Sequence, residues 1–321
     1  MKRWTVIGVA TAAVVACSLA WMISSYLRDI GAARRRTSAG SGMAATKCGP
    51  IEYAERGAGP PVLVVHGAGG GFDQGLLIAD PRWAGGFRAI AMSRFGYLRT
   101  PLPADASAET QADAHACLLD ALGVGRAAVI GVSAGAPSAT QFCLRHADRC
   151  AALVLLVPMA YSDKPFHPLE PRAQALLDRL TGSDFIFWGA RHLLQTAVVE
   201  SVLGTPIEDV RAASKEEQGR ALGMLALLEP LSLRAKGVRN EAAVARKLGP
   251  WPLERIAAPT LIASVEDDRF ATWAGARYAA ERIPGARFVG FRRGGHLWVG
   301  HGEEMAGEVR RFLEQSVMGV Q

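Results

Sequence analysis

A serine stands between two glycines in Ala127-Ala128-Val129-Ile130-Gly131-Val132-Ser133-Ala134-Gly135. The first four residues form a short apolar run that is typical of a buried strand, and residues 134–146 have a helical pattern. Gly-x-Ser-x-Gly at a strand-to-helix junction holds the serine hydroxyl on a tight turn, because the glycines let neighbouring backbone approach closely. The stretch therefore predicts that Ser133 is an exposed nucleophile.

Short apolar runs alternate with helical segments along most of the chain. The runs are rich in valine, leucine and isoleucine, as in strands buried on both faces of a parallel sheet, and lie at 62–65, 87–92, 127–130, 152–157, 260–263 and 287–291. Helices are expected at 107–122, 134–146, 273–283 and 303–316. The interval from about 160 to 250 has no strand-like run, and helices are expected there at 171–180 and 216–228. We therefore expect an α/β fold with a mostly parallel central sheet flanked by helices and an inserted helical cap at about 160–250.

Three further segments carry residue types that a serine nucleophile requires. A His-Gly loop follows an early strand, an acidic turn follows a late strand, and a histidine precedes the final helix: Val64-Val65-His66-Gly67-Ala68-Gly69-Gly70-Gly71, Val265-Glu266-Asp267-Asp268-Arg269 and Gly294-Gly295-His296-Leu297-Trp298. With Ser133, these segments follow the order serine, acid, histidine. From about Cys48 to the C-terminus the chain resembles the α/β-hydrolase family.

The resemblance implies a catalytic triad. Ser133 would attack the substrate, His296 would take and return its proton, and Asp268 would hold the imidazole in the correct tautomer. The family commonly has Gly-x-x-Asp at the acidic turn, and Val265 stands here in place of that glycine. This departure leaves Asp267 open as an alternative acid.

The resemblance also bears on a third acidic residue and on the oxyanion hole. Asp163, which follows the preceding strand, is a remote third option for the acid. At the His-Gly loop, the resemblance implies an oxyanion hole formed by the backbone N–H of Ala68 or Gly69 together with that of Ala134. The side chain of His66 is expected to tie loops together rather than to transfer protons.

A loop after the next strand, Ser93-Arg94-Phe95-Gly96-Tyr97, also matches the family, with Ser93 where an aspartate is usual. We expect Arg94 and its neighbours to brace the oxyanion loop. The alternative is that Phe95 or Tyr97 lines the acyl pocket.

Residues 4–27 form a run of 24 residues without a charged side chain. At about 1.5 Å per residue, such a helix is long enough to cross roughly 30 Å of hydrocarbon. We expect a single-pass membrane anchor at 1–30, a linker at 31–46 and the hydrolase domain at 47–321. A cleaved signal peptide, or a lipoprotein signal with Cys17 as the lipidated residue, remains an alternative. Basic residues flank the run on both sides, so the side of the membrane is not predicted.

Most of the positive charge lies near the N-terminus. The 321-residue chain has a formal net charge of +6, and residues 1–36 hold six basic side chains against one acidic one. The remaining residues are therefore nearly neutral, which excludes a nucleic-acid-binding surface. Cys48, Cys117, Cys143 and Cys150 are expected to be buried free thiols, although their even number also permits disulfides. No spacing implies a metal or another cofactor.

Taken together, the sequence predicts a membrane-tethered serine hydrolase that cleaves a carboxylic ester or related acyl compound. Aromatic residues in the interval 160–250 favour an apolar small-molecule substrate, although core packing explains them equally well. The alternatives on the same fold are a carbon–carbon bond hydrolase and a cofactor-free haloperoxidase-like enzyme. A ligand-binding protein without activity is a further alternative, which the presence of both Ser133 and His296 disfavours.

Overall fold

The computed structural model describes residues 2–163, 179 and 182–318. The strands in this part of the chain are β1 (Gly42–Thr46), β2 (Gly49–Arg56), β3 (Pro61–Val65), β4 (Arg88–Met92), β5 (Ala127–Val132), β6 (Cys150–Leu156), β7 (Thr260–Val265) and β8 (Arg287–Phe291). They form one sheet in the order β1-β2-β4-β3-β5-β6-β7-β8. Strands β3 to β8 pair in parallel, whereas β2 is antiparallel to both β1 and β4.

Helices cover both faces of the sheet and also fill the interval between β6 and β7. They are α1 (Lys2–Ser38), α2 (Phe72–Ile78), α3 (Pro81–Ala84), α4 (Ala108–Ala121), α5 (Ala136–Arg145), α6 (Asp184–Leu193), α7 (Gln195–Val202), α8 (Ile207–Ala212), α9 (Lys215–Leu227), α10 (Ala235–Arg246), α11 (Thr272–Arg282) and α12 (Gly302–Leu313). We call α6 to α10 the cap helices. The helix expected at 216–228 corresponds to α9, and the one expected at 171–180 falls outside the described residues apart from position 179.

The central strands are buried on both faces, as their continuous apolar sequences predict. Along β3, Val62 and Val64 pack into one apolar cluster, while Leu63 and Val65 pack into another on the opposite face. Such alternation follows from the period of two residues in a strand. The expectation of a mostly parallel sheet flanked by helices is therefore confirmed, and the carboxyl ends of β3, β5, β7 and β8 lie along one edge of that sheet.

The expected linker at 31–46 is wrong. Helix α1 continues without interruption to Ser38, and residues 42–46 form the edge strand β1. Alanine and arginine are strong helix formers, so the segment 31–38 extends the apolar helix rather than ending it. Of the strand residues in β1, only Ala44 is buried, and so short a half-exposed strand has no continuous apolar run to reveal it.

The four cysteines outside α1 form two disulfides rather than the expected free thiols. Cys48, in the turn between β1 and β2, is bonded to Cys117 on α4, and Cys143 on α5 is bonded to Cys150 at the start of β6. Cys17 is free and exposed. The sequence could not show the pairing, because the first bridge joins residues 69 positions apart.

We expect the two disulfides to contribute unequally to stability. Replacing Cys48 and Cys117 together with serine should lower the free energy of unfolding by about 4 kcal/mol, because a long loop is released in the unfolded chain. The Cys143–Cys150 bridge closes a short loop, and its removal should cost about 2 kcal/mol. Urea unfolding of the two double-serine variants measures both values. Equal losses, or a larger loss for the short loop, would contradict this ranking.

Helix α1 is long and apolar enough, over residues 9–38, to cross a membrane. Its N-terminal part is exposed at every described position from Val9 to Trp21. From Ser25 onward one face is buried against the rest of the protein, and Ile30, Ala33 and Thr37 continue this face along the helix. Helix α1 therefore has an uncovered apolar part and a docked C-terminal part.

Candidate active site

Ser133 occupies a strained turn at the carboxyl end of β5. Its backbone has φ 51°, in the left-handed region that a residue with a side chain seldom adopts. The flanking glycines are required by close contacts: a Cβ atom on Gly135 would lie 2.4 Å from the carbonyl oxygen of Val65, and one on Gly131 would lie 2.6 Å from Cβ of Ala139. The turn therefore presses against its neighbours and presents a partly exposed Ser133 before α5 begins at Ala136.

Replacing Gly135 with alanine is expected to destabilise the protein by about 1–3 kcal/mol, because backbone atoms of β3 block the added methyl group. The matched control is Gly219→Ala, in an exposed position of α9 where a Cβ would meet nothing within 4 Å. That change should be neutral or stabilise the helix by up to about 1 kcal/mol. Thermal unfolding of the two variants tests this expectation, which fails if Gly135→Ala unfolds at the wild-type temperature.

The structure brings His296 and Asp268 together. His296 lies in a short turn after β8, Asp268 lies in the turn after β7, and Nδ1 of His296 is 2.8 Å from Oδ2 of Asp268. Both residues are buried. The Asp268 carboxylate also accepts hydrogen bonds from the backbone N–H of Phe270, at 2.8 Å, and from the hydroxyl of Thr272. Because Nδ1 faces a carboxylate, Nε2 is the ring nitrogen left for proton transfer.

The alternative acids lie elsewhere. Asp267 accepts hydrogen bonds from the backbone N–H groups of Gly295, at 2.8 Å, and Gly294, at 3.3 Å, and so orders the loop that carries the histidine. Asp163 is exposed and lies 3.9 Å from Arg282 on α11. The geometry thus assigns the histidine contact to Asp268 and a supporting contact to Asp267.

Among the described residues, no hydrogen bond joins the Ser133 hydroxyl to His296. In enzymes without bound substrate the distance between a nucleophile and its base is often too long for a hydrogen bond, and it shortens when the substrate binds. A T-shaped contact at 4.8 Å between ring centres places the half-exposed Phe270 beside His296. The ring of Phe270 therefore lies directly beside the imidazole of His296.

His66 ties two loops together. Its Nε2 accepts a hydrogen bond of 3.0 Å from the backbone N–H of Arg94, so its Nδ1 carries the proton and donates to the carbonyl oxygen of Gly67 at 2.7 Å. Burial, followed by the nearby charge of Arg94, lowers the pKa of His66 well below its usual value. The imidazole is therefore neutral with both nitrogens engaged, in agreement with the expected bracing role.

The two candidate donors of the His-Gly loop differ in their surroundings. The N–H of Gly69 donates to the hydroxyl of Tyr97 at 3.4 Å. Gly69 has φ +70°, and a Cβ atom on it would lie 2.7 Å from Leu228, which directly follows α9. Ala68 is exposed. Within the described part of the chain, no hydrogen bond is made by the N–H of Ala68 or of Ala134. Of the three expected donors, that of Gly69 is therefore engaged, whereas the described residues provide no partner for those of Ala68 and Ala134.

Arg94 braces this loop from behind, as expected. Its Nε donates to the carbonyl oxygen of His66 at 2.9 Å, and its Nη2 lies 2.5 Å from Glu241 on α10. The hydroxyl of Tyr97 donates to the same carboxylate, and burial next to Glu241 raises the pKa of Tyr97 well above its usual value. Phe95 and Tyr97 are both buried, and Phe95 lines a small cavity together with Ala134, whereas the hydroxyl of Tyr97 is held by Glu241.

A second buried ion pair connects the turn between α9 and α10 to the same loop. Arg234, which precedes α10 and is fully buried, donates to the carbonyl oxygen of Gly70 at 2.5 Å and to Asp73 at 2.7 Å. Arg36 of α1 lies 3.5 Å from the same Asp73 carboxylate and also donates to the carbonyl oxygen of Glu229. Arg36 and Arg234 thus share the carboxylate of Asp73, and this carboxylate connects the C-terminal turns of α1 to the His-Gly loop.

Sequence reasoning missed the turn between α7 and α8. The carbonyl oxygen of Gly204 accepts from the N–H of His296 at 3.2 Å, and the Thr205 hydroxyl accepts from the N–H of Leu297 at 3.1 Å. A Cβ atom on Gly204 would lie 3.1 Å from Cβ of His296. The only available signal was the turn-forming sequence Gly-Thr-Pro, and nothing in it points to a histidine about 90 residues away.

Within the described residues, no group of three or more histidine, cysteine, aspartate or glutamate side chains is placed to hold a metal ion. The groups that the described residues bring to the site are a serine hydroxyl, an imidazole, a carboxylate and backbone N–H donors. This set is the one that nucleophilic catalysis at a carbonyl carbon requires.

The comparisons with known proteins agree with the fold. The model of the α/β-hydrolase fold family matches residues 60–299. A 2-hydroxy-6-oxononadienedioate/2-hydroxy-6-oxononatrienedioate hydrolase of Paraburkholderia xenovorans (strain LB400) is 30% identical over 229 residues, which are 68% of this chain and 75% of that protein. A 2-hydroxymuconate semialdehyde hydrolase of Pseudomonas putida is 26% identical over 82% of this chain and 90% of that protein. The chain belongs to the α/β-hydrolase fold family.

Solved structures show the same architecture. An α/β hydrolase fold protein from Nakamurella multipartita is 28% identical, with a TM-score of 0.66 over 85% of this chain and 99% of that one. A bacterial membrane phospholipase A is 22% identical, with a TM-score of 0.66 over 98% of this chain and 99% of that one. At that identity the second likeness shows the fold alone.

Proposed function

We propose that the protein is a membrane-tethered serine hydrolase that cleaves an uncharged carboxylic ester through a covalent acyl-enzyme on Ser133. The observation that carries the proposal is the 2.8 Å contact between Nδ1 of His296 and the carboxylate of Asp268. This contact fixes the imidazole so that Nε2 is free to act as a base, while the strained turn at Ser133 exposes the nucleophile.

The proposed reaction has two halves. In the first, Nε2 of His296 takes the proton of Ser133 as Oγ adds to the ester carbonyl, and Asp268 stabilises the imidazolium. The N–H groups of Ala68 and Ala134 donate to the oxyanion, and the proton then passes from His296 to the departing alcohol. In the second half, water attacks the acyl-enzyme with His296 again acting as base, and the acid is released.

The charges around the oxyanion loop support an uncharged substrate. The described cations that touch this loop are Arg94 and Arg234, and each is already held by a carboxylate, Glu241 or Asp73. A substrate carboxylate that contacted either arginine would have to compete with the protein carboxylate already bound to it. Neither arginine is therefore available to bind a carboxylate group of a substrate.

A second candidate is cleavage of a carbon–carbon bond next to a ketone, and the sequence relatives favour it over the ester. The two relatives described above are named as hydrolases of an oxononadienedioate or oxononatrienedioate and of a muconate semialdehyde. The same triad serves this chemistry, since Ser133 would add to the ketone carbonyl and a carbon group would leave in place of an alcohol. These substrates are carboxylates, so this candidate requires a cation other than Arg94 and Arg234.

A direct comparison of the two substrate classes separates these candidates. The full-length protein in detergent is assayed with a p-nitrophenyl ester chain-length series and with a 2-hydroxy-6-oxo-2,4-dienoate, whose loss is followed by its absorbance. We expect kcat/KM for the best ester to exceed that for the dienoate by at least about 10²-fold, since neither Arg94 nor Arg234 is free to pair with the substrate carboxylate. A preference for the dienoate would replace the ester by the carbon–carbon bond as the target.

We also propose that α1 anchors the enzyme in the membrane and that the domain lies outside the cytoplasm. The support for the anchor is the length of α1 and its exposed apolar part. The support for the side is the pair of disulfides, because such bonds persist in oxidising compartments and are rare in the cytosol. Protease protection of the domain in right-side-out membrane vesicles tests the side: digestion without detergent is expected, and protection would place the domain in the cytoplasm.

A further inference from the structure

Helix α6 lies against the C-terminal part of α1, close to where the charge-free run of α1 ends. The ring of Tyr26 makes T-shaped contacts with Phe185, at 5.1 Å between ring centres, and with Trp188, at 5.7 Å. The indole N–H of Trp188 donates to Asp29 at 2.9 Å. Tyr26 is one residue from the end of the run that would occupy the bilayer, so α6 is held at the level of the membrane surface.

Helix α6 exposes apolar side chains on one side and buries others. Phe187 and Trp188 are buried, whereas Phe185 is 41% exposed, Ile186 47% and Leu193 80%. Leu194, which directly follows the helix, is 60% exposed. Four large apolar side chains in eleven residues form a concentrated exposed patch, and an amphipathic helix of this kind is typical of a membrane interface. We call these four residues the α6 patch.

The attachment of α1 fixes the depth at which α6 lies. One face of α1 is buried from Ser25 to Thr37, and Arg36 extends the attachment to Asp73 of the hydrolase domain. Because α1 is one continuous helix, its membrane part and its docked part cannot rotate independently. Phe185 contacts α1 at Tyr26, on the bilayer side of Asp29, so this end of α6 lies at the depth where the charge-free run of α1 ends.

We infer that the α6 patch is a membrane-contact surface that inserts among the lipid headgroups and seats the cap helices on the bilayer. The inference rests on the proposed anchor and deepens it: the enzyme is not merely tethered but lies on the membrane with its cap toward the lipid. Arg28 and Arg34 flank the contact on α1; both are exposed, at 3.8 Å from Asp29 and 3.6 Å from Asp184, and these long contacts leave guanidinium N–H groups for anionic headgroups. The partner is thus a lipid bilayer surface, and a second protein copy on the patch is the competing occupant.

The test measures the depth of the patch directly. In a Cys17→Ser background, Leu193→Cys is labelled with a nitrobenzoxadiazole dye and the full-length protein is placed in phosphatidylcholine–phosphatidylglycerol nanodiscs. Quenching by lipids that carry a nitroxide near the headgroup is compared with quenching by iodide in the water. The matched control is Met43→Cys, because Met43 is an exposed apolar residue on the edge strand β1.

We expect the dye at position 193 to be quenched at least about 3-fold more by the lipid nitroxide than the dye at 43, with the opposite order for iodide. Equal exposure of both positions to iodide would overturn the inference. Protection of position 193 from iodide without nitroxide quenching, together with crosslinking between labelled copies, would assign the patch to a second copy instead.

An activity arm separates this inference from the proposed function. The triple variant Phe185→Ser, Leu193→Ser, Leu194→Ser should lose at least about 10-fold in turnover of a long-chain ester embedded in the nanodisc, with a soluble p-nitrophenyl ester hydrolysed as by wild type. Equal loss on both esters would point to damage to the fold and contradict a surface role. Absence of turnover of every ester by wild type would refute the proposed function, and the quenching experiment would still decide the orientation.

Discussion

Replacing Ser133 with alanine is expected to abolish labelling by a fluorophosphonate probe and to lower kcat for the best ester by about 10⁴- to 10⁶-fold. The probe forms a covalent bond only with a serine that an adjacent base activates, and the variant has no hydroxyl at the turn. The oxyanion donors and the binding surface remain, so residual activity above the uncatalysed rate is expected. Gel-based labelling and steady-state kinetics on the full-length protein measure both effects.

The matched control is Ser201→Ala, which changes an exposed serine on α7 whose hydroxyl donates to the carbonyl oxygen of Ala197 in the same helix. That variant should react with the fluorophosphonate probe and hydrolyse the ester at the wild-type rate. Labelling that persists in Ser133→Ala would mean that another serine is the nucleophile and would remove the triad from the proposed function. Failure of wild type to label, with an intact thermal transition, would favour the ligand-binding alternative.

Ser133 and His296 act on one proton, so their losses should not add. The double variant Ser133→Ala, His296→Ala is expected to be about as active as either single variant, because each removal already disables proton transfer and attack. Additive losses would indicate that the two residues serve separate steps. This outcome would conflict with the proposed mechanism, in which Nδ1 of His296 stays bonded to Asp268 and Nε2 serves the nucleophile.

The parallel part of the sheet could be predicted because both faces of its strands are buried. Continuous apolar runs such as 62–65 and 152–157 need no alternating pattern, and each of the six expected runs corresponds to a strand from β3 to β8. Strands β1 and β2 lie at or near the edge, and their mixed polar and apolar residues gave no comparable signal. Glu52 of β2, for example, is fully buried among Ser41, Ser93 and Arg99.

The site could be predicted as far as local motifs reach. The turn at Ser133 and the histidine at 296 are marked by glycines whose close contacts the structure explains. Other contacts join segments that are far apart in sequence. The N–H of Gly69 donates to Tyr97, and the N–H of His296 donates to the carbonyl oxygen of Gly204. Gly204 lies between two cap helices, and Tyr97 is bonded to Glu241 of a third. Both contacts therefore depend on how the cap helices pack on the sheet, which no local motif in the sequence predicts.

The neighbouring carboxylates Asp267 and Asp268 provide the second test with a large expected effect. Asp268→Asn should lower kcat/KM for the best ester by about 10⁴-fold, because an amide at this position no longer stabilises the imidazolium and favours the wrong tautomer of His296. Asp267→Asn is the matched control, the same change one residue earlier. It disturbs the hydrogen bonds to Gly294 and Gly295 and should cost at most about 10²-fold through a small displacement of the histidine.

A larger loss of kcat/KM for Asp267→Asn than for Asp268→Asn would contradict this assignment and make Asp267 the triad acid. The 2.8 Å contact at Nδ1 would then be only a structural hydrogen bond, and the histidine loop would have to move before catalysis.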